Sequence, residues 1–369
     1  MKLVVQVKLL PDPAQAEAFV ATIALCNAAA NLTSERAFEY QVFRRFGVQR
    51  LVYTELKAFG LSAQPAIRTI AKVCDAYARD KRVQHRFRLD AAQPFDVRCL
   101  SWNLDEQTIS IWTTSGRLKG IRFACASWQL DLLRAHRQGE SDLVFRDGKW
   151  YLSATCEVPE AVLNESPDGF LGVDLGIVNI ATTSDGDRYA GAHLNRVRHR
   201  NRRLRGKLQK LGTKSAKRLL RKRNRREARF AKDVNHVISK RIVAEAERSG
   251  RGIALEDLKG IRARVKARKP QRATLHSWAF AQLGGYVAYK AQRAGVPLVH
   301  VDPRYTSQEC SACGVIDKAS RKDQATYECT CCGFAEHADR NAANNIAARG
   351  VVGWAAVKRP HADTAALAA

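Results

Sequence analysis

The segment FLGVDLG, residues 170–176, decides the fold class of this protein. Apolar and small residues flank a single acid, Asp174, which is typical of a strand buried on both faces that ends on a carboxylate. Further along the chain, IALE at residues 253–256 reads as a second short apolar strand, and it ends on Glu256. Asp339 then begins the segment DRNAANNI, residues 339–346, which the pattern predicts to be a helix.

The elements around these acids follow one order along the chain. Strands are predicted at 170–176, 177–183 and 188–190, and a basic helical stretch at 195–249 follows them. After the strand 253–256 come a helix at 274–294, a strand at 297–301 and the final helix. This order is ribonuclease-H-like, and there the first and fourth strands converge with the last helix. The sequence therefore predicts one cluster of Asp174, Glu256 and Asp339.

Such a cluster suits metal-dependent hydrolysis of a phosphodiester. Two divalent ions can activate a water and stabilise the leaving oxygen, and Mg²⁺, or Mn²⁺ in its place, prefers carboxylate ligands. We expect Asp174 to bridge both ions, with Glu256 and Asp339 each holding one. Taken singly, each acid is equally consistent with a helix cap or a surface acid. Asp257 is an alternative ligand, although it follows Glu256 directly and consecutive residues of a strand point to opposite faces.

A second metal pattern lies near the C-terminus. Cys310 and Cys313 form one CxxC pair, and Cys329 and Cys332 form another, separated by 15 residues. Two such pairs predict a closed Cys₄ site for structural Zn²⁺ rather than a catalytic one. Glycines at 314 and 333 follow the two pairs, where a left-handed residue is expected. Cys331 leaves open a switch of ligand with Cys332.

The charge indicates a polyanionic partner. The chain carries 62 Lys and Arg against 36 Asp and Glu, a formal net charge of +26. Residues 196–229 hold 17 of these basic residues and one acid, and a second basic run spans 262–272. Both runs predict sequence-independent contacts to a phosphate backbone, since solvated helix faces usually mix both signs. The candidates singled out in the first run are Arg202, Arg203, Arg221 and Arg225.

The first 160 residues alternate like a small β domain with a helical insertion at about 12–82. Strands are expected at 1–10, 87–89, 97–102, 108–112 and 150–156. Tyr53, Gln64, Arg68 and Lys72 are candidates for a base-reading surface on the insertion, although ordinary helix-surface charge explains them equally well. Residues 160–168 read as a linker.

The remaining composition bears on location. Five scattered cysteines in apolar contexts are typical of buried free thiols in a reducing compartment. We expect no membrane-spanning helix and no signal peptide, and a cytoplasmic protein that associates with the nucleoid when it is bound to nucleic acid.

Four segments resemble one known family. They are GVDLG at 172–176, ALEDL at 254–258, YTSQECSACG at 305–314 and ADRNAANNI at 338–346, and the stretch from 278 to 295 also fits. The chain is similar over 169–350 to TnpB, the OrfB-type protein of bacterial insertion sequences, and to the miniature type V CRISPR effectors. The likeness over 1–160 is weaker.

The resemblance implies an α+β multidomain architecture. An N-terminal β-barrel-like wedge domain, 1–160, would carry the helical recognition insertion. An RNase H-like RuvC α/β domain, 169–350, would carry a zinc ribbon at about 304–335. Residues 351–369 would be a disordered tail.

The resemblance also implies a function. A guide RNA made from the end of the element would pair with double-stranded target DNA beside a short adjacent motif, and the single RuvC site would cut both strands. A monomer is favoured.

Three other readings remain open at this point. One is an RNA-guided repressor without nuclease activity, which should have lost acids that this chain keeps. Another is a guide-free RuvC-like nuclease, which leaves the first 160 residues unexplained. A third is a zinc-ribbon protein that binds nucleic acid without catalysis. A CRISPR-associated effector of the same mechanism cannot be separated by sequence from an insertion-sequence protein.

Overall fold

The computed structural model describes residues 1–258 and 280–358. The chain divides into two compact units, Met1–Pro159 and Glu160–Ala369, which are described one at a time.

The first unit is built on a seven-stranded antiparallel sheet with the order β2-β6-β7-β1-β5-β4-β3. Its strands are β1 (Lys2–Leu9), β2 (Gln93–Phe95), β3 (Leu100–Asn103), β4 (Thr108–Thr113), β5 (Gly116–Ala124), β6 (Arg137–Arg146) and β7 (Lys149–Glu157). Alternation along β7 buries Trp150, Leu152, Ala154 and Cys156 on one face. That face forms the core of the sheet.

Along the chain, three helices lie between β1 and β2, and a fourth, α4 (Ser127–His136), precedes β6. The three are α1 (Pro13–Glu39), α2 (Arg45–Ala58) and α3 (Ala63–Arg79). Helix α1 starts at a capping box, in which the Asp12 carboxylate accepts from the Gln15 amide nitrogen at 2.8 Å. By length and composition α1 could cross a membrane, but 44% of its apolar window is buried inside this unit. Phe19 and Ile23 pack in the core of the sheet, so the apolar face of α1 contacts that core.

The strand predicted at 87–89 is wrong. Asn31 on α1 donates to the Phe87 carbonyl at 2.9 Å and accepts from the Phe87 amide at 2.7 Å. Asn27 donates in the same way to the Leu89 carbonyl at 3.2 Å. Because side chains of α1 satisfy these main-chain groups, the segment needs no neighbouring strand.

The second unit contains a five-stranded sheet with the order β10-β9-β8-β11-β12. Its strands are β8 (Phe170–Asp174), β9 (Asn179–Thr183), β10 (Arg188–Ala190), β11 (Gly252–Glu256) and β12 (Leu298–Val301). β8 pairs antiparallel with β9 and parallel with β11, and β11 pairs parallel with β12. The order of strands and helices along the chain is the predicted one, and it sets β8 beside β11 at the centre of the sheet.

In the described part of this unit, four helices accompany the sheet: α5 (Ala192–Leu211), α6 (Lys214–Arg248), α7 (Phe280–Arg293) and α8 (Ala338–Lys358). Leu171 and Val173 on β8 face the core that α6 and α7 complete. The alternate residues, Phe170 on β8 and Ala254 on β11, pack with Ile346 of α8 on the opposite face. Asp174 and Glu256 continue this second alternation, so both acids point to the face covered by α8.

Helix α8 lies directly on the sheet backbone. A Cβ atom on Gly172 would fall 1.9 Å from the Ala343 carbonyl oxygen, and one on Gly350 would fall 2.6 Å from the Ala254 Cβ. The helix extends to Lys358, so the predicted disordered tail is wrong for residues 351–358. Trp354 packs near Phe170, with ring centroids 6.2 Å apart, and this contact explains the extension. Residues 359–369 lie outside the described part of the chain.

Candidate active site

Asp174 ends the central strand β8 on the face that α8 covers. Burial, together with the negative charges of Glu256 and Asp339, raises the pKa of this carboxyl to about 8. Arg321 and the Leu175 amide act in the opposite direction. The structure thus brings the three predicted acids into one electrostatic cluster, as the element order predicts.

Glu256 ends the neighbouring strand β11. The Thr306 hydroxyl donates to Glu256 Oε1 at 2.6 Å. Burial raises the pKa of Glu256, whereas the Thr306 hydrogen bond and the positive charge of Arg349 lower it. The neutral Thr306 hydroxyl therefore holds Glu256 through Oε1, and this hydrogen bond does not involve Oε2.

Asp339 lies in the first turn of α8 and is 6% exposed. Asn179 on β9 donates to Asp339 Oδ2 at 2.9 Å, and Arg321 Nη2 lies 3.5 Å from Asp339 Oδ1. The Asp339 amide donates to His337 Nδ1 at 3.2 Å. These contacts fix the third carboxylate in a place where its charge reaches Asp174.

Sequence analysis missed Thr306, Asn179 and Arg321. Each reaches the acids from another element, and none of them belongs to a spacing pattern that marks a metal site. Arg321 lies between the two CxxC pairs, where a basic residue is unremarkable in a chain of this charge. The element order that found the acids carries no information on which loop side chains turn towards them.

The four predicted cysteines form a second centre. The Sγ atoms of Cys310, Cys313, Cys329 and Cys332 all lie within 4.8 Å of one another. Cys310 and Cys332 are 3.7 Å apart, and Cys313 and Cys329 are 3.6 Å apart. A tetrahedron with Zn–S bonds of about 2.3 Å has edges of about 3.8 Å, so the donor set fits Zn²⁺.

The knuckle geometry supports the same assignment. Gly314 and Gly333 have φ angles of 76° and 72°, the left-handed region that favours glycine. The Cys332 and Cys331 amides lower the pKa of Cys329 to about 6, which favours a thiolate. Cys331 is exposed and lies outside the four-cysteine group, so in this arrangement Cys332 supplies the fourth donor atom of the group.

Within residues 1–258 and 280–358, the cysteines are the one set of His, Cys, Asp and Glu side chains with three or more donor atoms drawn so close together. The three carboxylates are arranged more openly, and Asp339 has Arg321 as a cationic neighbour. Glu256 and Asp339 raise the pKa of Asp174, and a carboxyl whose proton affinity is raised by two neighbouring acids fits a site that binds cations.

The basic run forms a helical hairpin. Helices α5 and α6 are joined at Gly212, which has a φ of 63°, and Thr213 caps α6. Glu227, the one acid of the run, accepts from Asn201 at 2.8 Å inside the hairpin. Four predicted contacts to nucleic acid, Arg202, Arg203, Arg221 and Arg225, are exposed on these helices. The second predicted run, 262–272, lies outside the described residues.

The four candidates in the first unit are engaged within the protein. Lys72 Nζ donates to Asn27 Oδ1 and to the Ala92 carbonyl, each at 2.6 Å, and burial lowers its pKa to about 8. Arg68 pairs with Glu140, Gln64 bonds Asp96, and Tyr53 packs against the helical core. The assignment of these residues to nucleic acid stays a prediction, and the charges of Lys72 and Arg68 have partners inside the unit.

Two family models match the chain. Residues 153–259 match OrfB_IS605, whose description is "Probable transposase", and residues 280–346 match "Cas12f1-like, TNB domain". Curated relatives include a CRISPR-associated endodeoxyribonuclease Cas12f1 of Syntrophomonas palmitatica, 30% identical over 54% of this chain and 43% of that protein. The TnpB-like protein MJ0751 of Methanocaldococcus jannaschii is 36% identical over 37% of this chain and 49% of that protein. The matches confirm the resemblance to TnpB-type proteins.

The chain covers less than half the length of these two relatives. Among solved structures, the Cas12f1 chain in a cryo-EM complex with sgRNA and target DNA superposes with a TM-score of 0.68. That match covers 91% of this chain and 83% of the other at 14% identity, and it supports a shared mixed α/β fold.

Proposed function

We propose that this protein is an RNA-guided DNA endonuclease of the TnpB type, with one RuvC-like site made by Asp174, Glu256 and Asp339. The observation that carries the proposal is the cluster itself. The three acids come from two central strands and the last helix, and the negative charges of two of them raise the pKa of the third. Carboxylates are gathered in this way where cations offset their repulsion.

The proposed chemistry is hydrolysis of a phosphodiester. Divalent ions bound by these carboxylates, two Mg²⁺ or Mn²⁺, would activate a water and stabilise the leaving oxygen. Asp174 would hold the ions together with Glu256 and Asp339, because the charges of both neighbours act on it. Thr306 orients Glu256, and Asn179 orients Asp339. Arg321 supplies a positive group that can contact the anionic phosphate beside Asp339.

The guide and target are proposed from the relatives and from the charge. The relatives carry the names Cas12f1 and TnpB-like protein, and one solved complex contains sgRNA and target DNA. We propose an RNA made from the end of the element as guide, and double-stranded DNA beside a short adjacent motif as target. The basic hairpin of α5 and α6 would contact backbone phosphates, because residues 196–229 hold 17 Lys and Arg against one acid, Glu227. The cysteine module would hold structural Zn²⁺.

Co-purification tests this proposal. The protein is isolated from a host that carries the native locus, and the bound RNA is sequenced. A plasmid matched to that RNA is then incubated with wild type and with Asp174→Ala. The proposal predicts one discrete RNA and cleavage by wild type alone. Cleavage without RNA would instead indicate a guide-free nuclease, and RNA-directed binding without cleavage would indicate a repressor.

A further inference from the structure

One face of α8 is lined by polar side chains that continue away from Asp339. Asn341, Asn345 and Arg349 follow one another at intervals of four residues, so they share that face. We call these three residues the polar ladder. It contacts the segment 302–311, which runs from the end of β12 to the first cysteine pair.

The ladder binds the main chain of that segment along its length. Asn341 donates to the Glu309 carbonyl at 2.8 Å and accepts from the Ser311 amide at 2.9 Å. Asn345 donates to the carbonyls of Thr306 at 2.9 Å and Glu309 at 2.7 Å. Both asparagines are buried, so water cannot replace these bonds without opening the contact.

Arg349 completes the ladder at its far end. Its Nη1 donates to the carbonyls of Asp302 and Arg304, each at 2.7 Å, and its Nη2 lies 2.5 Å from Glu309 Oε2. Amide and guanidinium donors that bind several carbonyls along one segment hold a loop in one register. The segment is thereby fixed against the helix that carries Asp339.

The clamped segment presents Thr306 to the carboxylate cluster. Thr306 is 3% exposed. Its hydroxyl oxygen lies 2.6 Å from Glu256 Oε1 and 3.1 Å from the Pro303 carbonyl oxygen, so the shorter hydrogen bond is the one to Glu256. The preceding residue, Tyr305, has a φ of 63°, a conformation that a non-glycine residue adopts only when its surroundings impose it. The ladder supplies those surroundings.

We infer that the polar ladder is a positioning device for Glu256. By holding Thr306 in place, Asn345 and its two neighbours set the orientation of a carboxylate that they do not touch. The inference rests on the proposed function in treating Glu256 as a metal ligand. Residues that orient a ligand typically change metal affinity by ten- to a hundredfold when they are removed.

A simpler alternative is that the ladder only fastens the cysteine module to α8. Fastening would affect stability and zinc content but would not act through Thr306. A double variant separates the two roles. If Asn345 acts through Thr306, removing both side chains weakens Mn²⁺ binding no more than removing one; if the two residues act independently, their effects on the binding free energy add.

The experiment measures Mn²⁺ binding to the full-length protein by electron paramagnetic resonance, together with zinc content. Thr306→Val removes the hydroxyl at nearly constant shape, and Thr306→Ser retains it. We expect Thr306→Val and Asn345→Ala each to weaken Mn²⁺ binding about tenfold, Thr306→Ser to bind as wild type, and the double variant to equal the weaker single variant. Asn344→Ala is the matched control, since in the described part of the chain the Asn344 side chain makes no hydrogen bond.

The outcomes separate the two layers of the argument. Full additivity in the double variant, or wild-type Mn²⁺ affinity in Thr306→Val, would overturn the positioning role. If Asn345→Ala loses zinc, Asn345 fastens the cysteine module and the positioning role is overturned; weaker Mn²⁺ binding with zinc retained supports that role. If Asp174→Asn leaves Mn²⁺ binding unchanged, the proposed nuclease site fails rather than the ladder.

Discussion

Replacing Gly172 with alanine tests the packing that brings Asp339 to Asp174. The added Cβ would fall 1.9 Å from the Ala343 carbonyl oxygen and 2.6 Å from the Ala347 amide nitrogen, both backbone atoms of α8. Ordinary contact begins at 3.4 Å, so the helix must withdraw by about 1.5 Å. Asp339 lies one turn before Ala343 on the same helix and would move with it.

The magnitude follows from the rigidity of the partners. Overpacking costs about 1–3 kcal/mol, and a clash with backbone lies at the upper end because no side chain can rotate away. For a unit of this size, 1 kcal/mol corresponds to about 2–4 °C in Tm, so we expect a fall of about 6–12 °C. A shift of about 1 Å at a reacting centre can cost about a hundredfold in rate, so cleavage should fall as well.

Thermal unfolding and cleavage of a matched plasmid measure both effects. Gly206→Ala on α5 is the control, because its Cβ would meet no atom within 4 Å and alanine favours the helix by about 1 kcal/mol. A Gly172→Ala protein that unfolds at the wild-type temperature and cuts at the wild-type rate would refute the packing argument.

Three further predictions concern pH, zinc and salt. With its pKa raised to about 8 from 3.8, Asp174 keeps a proton that the unfolded chain loses. The metal-free protein should therefore lose stability as pH rises from 3.8 to about 8, while Mn²⁺ affinity rises over the upper part of that range; calorimetry should detect the released proton, and Asp174→Asn should abolish both trends. Cys329→Ser should lose zinc and lower Tm, whereas Cys331→Ser should retain both; equal zinc loss in the two would contradict the ligand assignment. Arg221→Gln should reduce the salt dependence of nucleic-acid binding by slightly less than one unit of slope, measured by titration between 50 and 200 mM salt, approximately the range over which such slopes are resolved; an unchanged slope would remove this arginine from the interface.

Local patterns predicted the parts of the structure that depend on neighbours in sequence. The apolar run before Asp174 is typical of a buried strand, and the structure has one there. The strand period then directs Asp174 and Glu256 to the face of α8. The two cysteine pairs fix their own geometry, because each knuckle closes within a few residues. These features need no knowledge of distant contacts.

Contacts between residues that lie far apart in sequence could not be predicted from local patterns. Lys72 has the charge of a surface residue, but Asn27 and the Ala92 carbonyl bind it inside the first unit. Residues 87–89 alternate like a strand, but asparagines of α1 satisfy their main chain. Thr306 and Asn345 gain their roles only after the loop before Cys310 meets α8.

Cleavage of a guide-matched plasmid in Mg²⁺ tests the central claim most directly. Wild type and Asp174→Asn, each purified with its bound RNA, are compared on matched and mismatched targets, with DNA binding measured in parallel. The account predicts that wild type cuts only the matched plasmid and that Asp174→Asn binds the same plasmid without cutting it. Cleavage by Asp174→Asn at the wild-type rate would contradict the account, because the carboxylate at the centre of the cluster would then be dispensable.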